Sequence, residues 1–500
     1  MNIKRAKQEI MDSAEAYLKK DERGEYLIPA VRQRPVLLMG PPGIGKTQIM
    51  EQIAREMGIA LVSYTITHHT RQSAIGLPFI REKEYGGKTY SVTEYTMSEI
   101  IASVYEKMEQ TGLKEGILFI DEINCVSETL APAMLQFLQC KTFGNQKVPE
   151  GWIIVAAGNP PEYNKSVREF DVVTLDRLKK IDVEADYTVW KEYAYRAGIH
   201  PAILSYLDMK RENFYRVETT VDGKMFVTAR GWEDLSQMLA VYEMMGKKMD
   251  REVVYQYLQH WKTAKDFAVY LELYEKYKKD YGLEKILEGV YDKSVVEKLR
   301  YAGFDERLSV VGMLLGKLGE MFRLCYTEDC FVTMLYGWVR QYKENGNLKR
   351  VCREAAEEYE GLRKAQKLTK EQNQIYVRLT DTLESFQYAA AREHLGKDEE
   401  FAAVKREFLK ASQKREEVFE KTARALDAAF DFLEETFGDS QEMVAFVTEL
   451  NTNFYSVQYL KENDCDKYYQ YNKRLLFDER RKSLLEQMDK VETALHPELK

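Results

Sequence analysis

Apolar residues come in short runs along the first part of the chain: 36–39 ("VLLM"), 60–66 ("ALVSYTI"), 117–120 ("ILFI"), 152–157 ("WIIVAA") and 181–183 ("IDV"). Helical patterns separate most of these runs. Buried runs alternating with helices predict a parallel sheet covered on both faces. One stretch breaks the alternation: 79–95 ("FIREKEYGGKTYSVTEY") has period-two character around Gly86 and Gly87. That pattern predicts a β-hairpin, followed by a helix near 98–110. The first twenty residues, "MNIKRAKQEIMDSAEAYLKK", read as an amphipathic helix. Farther along the pattern changes. Nine of the 11 prolines precede residue 162, Pro201 follows, and none occurs from 202 to 496. A proline-free stretch rich in Lys, Glu, Leu and Tyr predicts mostly helical structure. Within it, 401–437 places apolar residues at 401, 404, 408, 411, 418 and 426, with Arg415 and Thr422 interrupting the seam. Such spacing suits a long helix in a bundle, or a short coiled coil offered to a partner. No fixed-period repeat is present.

Composition narrows the class. A chain of 500 residues, 45% hydrophobic and 31% charged, has room for two or three domains and a full core. A net charge of −8 counts against broad nucleic-acid binding, which needs a basic surface. No apolar run approaches the roughly 18 residues of a membrane span. The N-terminus lacks the apolar core of a secretory signal. The six cysteines (125, 140, 325, 330, 352 and 465) form no Cys-x-x-Cys pair and no zinc spacing. Free thiols in a reducing compartment are the expectation, which makes the chain cytoplasmic.

The chemistry concentrates where the apolar runs end. After the first run come Gly40, Pro41, Pro42, Gly43, Ile44, Gly45, Lys46 and Thr47, with a helical pattern behind them. Gly-x-x-x-x-Gly-Lys-Thr between a strand and a helix is a phosphate-binding loop. Its glycines let the backbone wrap phosphates, Lys46 reaches the outer oxygens, Thr47 ligates Mg²⁺, and the helix start favours the anion. Gln48 completes the predicted nucleotide-binding set. The 117–120 run ends in Asp121 and Glu122, two carboxylates at the carboxyl edge of a buried strand. Asp121 would hold Mg²⁺ through water, and Glu122 would orient and polarise the attacking water. The 152–157 run leads to Gly158 and Asn159, where an Asn can address the water or the terminal phosphate and can also start the Pro160-Pro161 turn. Arg177, in "TLDRLKK", ends a helical pattern, where an Arg can reach a neighbouring subunit's nucleotide. Taken alone, it reads better as a surface ion-pair residue. Arg230, in "TARGWEDLSQML", begins a helix and could touch the terminal phosphate from a lid.

The order "GPPGIGKT", "ILFIDEIN", "AAGNPPEYN", "LDRL", "TARGW" resembles the AAA+ ATPases, and within them most the MoxR branch. The resemblance covers roughly residues 1 to 270. It implies an α/β fold: a P-loop parallel sheet sandwiched by helices, a helical lid, and a largely helical C-terminal domain. The corresponding partition is 1–185 for nucleotide binding, 186–275 for the lid with sensor 2, and 276–500 for partner or substrate recruitment. By the same resemblance Asn159 is sensor 1, Arg230 is sensor 2 and Arg177 is the arginine finger, with Arg168 the nearest alternative. Ala229 stands where the family usually has proline, and Leu178 where phenylalanine is common. The hairpin at 79–95 and "FGNQKVPEG" (143–151) match two insertions that face the central pore of a ring. ATP and Mg²⁺, a homo-hexamer, and a partner with a von Willebrand A domain are implied. So is a role in remodelling or assembling proteins. An ATP-gated binding module is the second reading. A nucleic-acid motor is the third, against which the acidic balance counts.

Overall fold

The computed structural model describes residues 1–68, 71–143, 146–164, 167, 170–221, 223–393 and 397–476. From the N-terminus run α1 (Ile3–Leu18), β1 (Val36–Met39), α2 (Lys46–Met57), β2 (Ala60–Thr65) and α3 (Arg71–Ile75). A hairpin of β3 (Pro78–Tyr85) and β4 (Lys88–Tyr95) follows, then α4 (Glu99–Thr111), β5 (Gly116–Asp121) and α5 (Ala131–Cys140). A two-residue hairpin, β6 (Thr142–Phe143) and β7 (Gln146–Lys147), leads to β8 (Trp152–Gly158), α6 (Val172–Leu175) and β9 (Lys179–Asp182).

All five apolar runs become strands of one parallel sheet, ordered β2-β5-β8-β1-β9. Every residue of β8 is buried, as are the first five of β5. That is the composition expected of central strands with helices on both faces. The register aligns the strand ends: Met39 sits opposite Gly158, and Ile120 opposite Ala156. The segments leaving β1, β5 and β8 therefore emerge together at one edge of the sheet. The core below them joins Leu37, Leu118, Ile120 and Ile154 to Ile101 and Val104 of α4 and to Phe137 of α5. Leu178 is buried in the same cluster.

The β3–β4 hairpin has the predicted register, with Tyr85 opposite Lys88 across the Gly86-Gly87 turn. Both strands are largely exposed, and a Cβ added at either turn glycine would meet no atom within 4 Å.

The rest is mostly helical: α7 (Tyr187–Ala197), α8 (Pro201–Met209), α9 (Ala229–Met244), α10 (Arg251–Tyr257), α11 (Trp261–Tyr281), α12 (Leu283–Leu287) and α13 (Lys293–Arg300). Longer helices follow: α14 (Phe304–Asn345), α15 (Leu348–Lys364), α16 (Lys370–Glu393) and α17 (Lys397–Phe437), then α18 (Gln441–Thr452) and α19 (Phe454–Glu462). The segment 401–437 lies in α17, whose Val404 packs in a cluster with Leu335 of α14, Val351 of α15 and Leu379 of α16. A bundle helix thus answers the open choice at that segment. Its two polar interruptions have partners. Arg415 pairs with Asp329 at 2.6 Å and lies over the Phe419 ring, and the Thr422 hydroxyl donates to Val418 O at 2.8 Å. One departure from the helical expectation is an antiparallel hairpin of β10 (Arg216–Thr220) and β11 (Gly223–Val227).

The chain divides into two units that interleave in sequence. The sheet unit comprises Met1–Val189, Thr228–Arg230 and Ala356–Asn373; the helical unit comprises Trp190–Val227, Gly231–Ala355 and Gln374–Lys500.

Candidate nucleotide-binding site

The loop from Gly40 to Gly45 turns sharply between β1 and α2. Gly43 and Gly45 have φ of +73° and +91°, the left-handed region in which a side chain would be strained. Gly45 is also the N-cap of α2, so the loop's backbone N–H groups and the positive end of the helix lie together. Lys46, the first residue of that helix, is 8% exposed. Its ammonium donates to Gly40 O at 2.7 Å, Pro41 O at 2.8 Å and Asn159 Oδ1 at 2.8 Å. Burial pushes its pKa down to about 8, against the pull of Asp121; Arg230 adds to the downward push and Glu122 opposes it.

The edge of β5 supplies the acidic side of the site. The Thr47 hydroxyl donates to Asp121 Oδ2 at 3.0 Å, so two hard oxygen ligands lie side by side at the end of the loop. This donor pair fits Mg²⁺. Glu122 has φ of +57°, a left-handed backbone that costs a non-glycine residue about 1 kcal/mol. Two hydrogen bonds hold it there: its N–H donates to Asp121 Oδ1 at 2.9 Å, and its carbonyl accepts from Cys125 N at 2.8 Å.

The β8 edge contributes Asn159, whose side chain meets Lys46. Its carbonyl accepts from Asn124 Nδ2 at 2.8 Å. Asn124 was not among the residues expected from sequence. The signal was an amide two residues beyond Glu122, in a turn whose neighbour Ile123 is buried. Arg230 lies in the first turn of α9, and its N–H donates to Gly43 O at 3.2 Å. Thr228 stands against the same glycine, 3.0 Å from where its Cβ would be. Ala229, between them, is buried.

The expected residues therefore divide. Gly40, Pro41, Gly43, Lys46, Thr47, Asp121, Asn159 and Arg230 are joined by direct contacts, and Glu122 is bonded to Asp121. Gln48 is exposed, its side-chain oxygen 3.3 Å from where a Cβ on Gly45 would stand. Arg177 is not part of this network: it is exposed just past α6, and its guanidinium donates to Gln139 of α5. Arg168 lies outside the described residues.

Among the described residues no helix is long and apolar enough to cross a membrane. No curated protein matches the chain. Residues 36–175 match the family model described as the ATPase family associated with various cellular activities (AAA). The matched span runs from β1 through α6 and takes in Lys46, Thr47, Asp121, Glu122 and Asn159, leaving Arg177 and Arg230 beyond it. With a phosphate loop, a strand-end Asp-Glu pair and an Asn facing the loop lysine, this stretch of the chain resembles an AAA ATPase domain in sequence and in its α/β fold.

Proposed function

We propose that the chain is a ring-forming ATPase resembling the MoxR branch, which turns ATP hydrolysis into remodelling or assembly of a protein partner. The observation that carries the proposal is the meeting of Lys46, Asn159, Thr47 and Asp121 at one sheet edge, with Glu122 bonded beside them. In this reading Lys46 and the loop amides bind the phosphates. Thr47, and Asp121 through water, would hold Mg²⁺, which would neutralise phosphate charge. Glu122 takes a proton from the attacking water, and Asn159 orients that water or the terminal phosphate. Arg230 approaches from the start of α9.

Arg177 serves a neighbouring copy as the arginine finger. Its setting supports that role: it is exposed, and Val172 and Val173 on the adjoining helix are 82% and 62% exposed. A homo-hexamer, a von Willebrand A partner, a cytoplasmic location, and a division into nucleotide-binding (1–185), lid (186–275) and recruiting (276–500) regions complete the proposal. These rest on the family resemblance.

Glu122→Gln tests the chemistry. The amide cannot act as base, so ATP binding should persist while turnover falls by on the order of 10²- to 10⁴-fold. Hydrolysis near the wild-type rate would give the role to another residue. Binding without turnover in the wild type itself would favour the gated module.

A further inference from the structure

Asn124 is 2% exposed in the turn that carries the chain away from Glu122. Its amide is used asymmetrically. Nδ2 donates to Asn159 O at 2.8 Å, whereas Oδ1 is buried with no hydrogen-bond partner among the described residues. Oδ1 lies instead 2.5 Å from where a Cβ on Gly158 would stand. The reverse amide orientation would set oxygen against the Asn159 carbonyl oxygen, so the contact fixes which end of the amide points there. A buried acceptor without a partner costs free energy, and the molecule retains it here beside its proposed reaction centre. A second tie joins the same two segments: Asn164 Nδ2 donates to Cys125 Sγ at 3.3 Å. The turn after Glu122 thus grips the chain beyond β8 at two points.

We propose that Asn124 is a positioning residue for the terminal phosphate. By fixing the Asn159 backbone to the Glu122 turn, it sets Glu122 and Asn159 in one frame, so that the Asn159 amide discriminates ATP from ADP. Resting on the ATPase reading above, this inference assigns a role to a side chain that acts through the Asn159 backbone.

The deciding measurement is the preference for ATPγS over ADP, by calorimetry, in the full chain and in Asn124→Asp. The aspartate keeps the size of the side chain but has no amide donor. ADP affinity should stay within about twofold of wild type, because the phosphate loop is untouched. The preference for ATPγS should shrink on the order of 10-fold, KM for ATP should rise by about the same factor, and kcat should fall 10- to 100-fold, the scale of a small misplacement. Asn124→Ser, too short to span the gap, should behave alike if the aspartate variant folds poorly. An unchanged preference overturns the inference whatever happens to kcat, and so does a wild type without a preference. Parallel loss of ADP affinity, ATPγS affinity and thermal stability in both variants overturns it too, since that marks a packing role alone. A wild type that binds both nucleotides but does not hydrolyse ATP refutes the ATPase reading, while the preference still decides the role of Asn124.

Discussion

Lys46 is a charged group held in a place that disfavours charge. Burial lowers its pKa to about 8, against the pull of the Asp121 and Glu122 carboxylates. Phosphate binding requires the ammonium, so the neutral fraction that grows above pH 8 cannot contribute. ATP affinity measured without magnesium should therefore hold below pH 8 and fall by up to about tenfold per pH unit above it. Lys46→Ala should bind ATP weakly and without this dependence, because the titrating group is gone. A wild-type profile flat from pH 7 to 10 would show that Lys46 does not make the contact. The residues of this site were legible because each phosphate-loop and strand-end role demands a particular side chain at a particular spacing. Asn124 was not, because its partner is a backbone carbonyl 35 residues away, and carbonyls leave no mark in a sequence.

At the scale of elements, β8 ends in a tight contact. Gly158 ends a strand with every residue buried, and it lies directly against Asn124. Gly158→Ala would force a Cβ into contact at 2.5 Å with Asn124 Oδ1. Overpacking of this kind costs about 1–3 kcal/mol. The variant should melt at lower temperature in calorimetry, and an unchanged melting curve would mean that the turn yields freely. Strands β1, β5 and β8 were readable because burial on both faces leaves unbroken apolar runs. The β10–β11 hairpin escaped notice because both strands are largely half-buried or exposed and carry no apolar run of that kind. Its one local signal was the Asp222-Gly223 dipeptide, the sort of pair favoured in tight hairpin turns. Arg415 and Thr422 looked like breaks in α17 for a related reason: their partners sit on a different helix or one turn back on the same one.

At the scale of the molecule, the sheet unit includes Ala356–Asn373, far along the chain from its strands. Gln366 there accepts from Lys107 of α4 at 2.8 Å, and the Lys367 ammonium stands 3.7 Å from where a Cβ on Gly58, just past α2, would be. Hydrophobic periodicity reports which face of a helix is buried, not which distant segment covers it, so this interleaving was not visible in the sequence. A protein ending at residue 275 would lack that segment. It should still bind ATP, since the contacts described for Lys46, Thr47, Asp121 and Asn159 come from residues before 231, but it should melt below the full chain. Loss of ATP binding on truncation would instead make the later helices part of the pocket.

The turn between β3 and β4 has a practical consequence. A Cβ at Gly86 or Gly87 would touch nothing, and both strands project largely exposed side chains. A short peptide tag inserted between these glycines would disturb no packed neighbour, and a fluorophore carried there would report on whatever approaches the hairpin while the sheet beneath keeps its register.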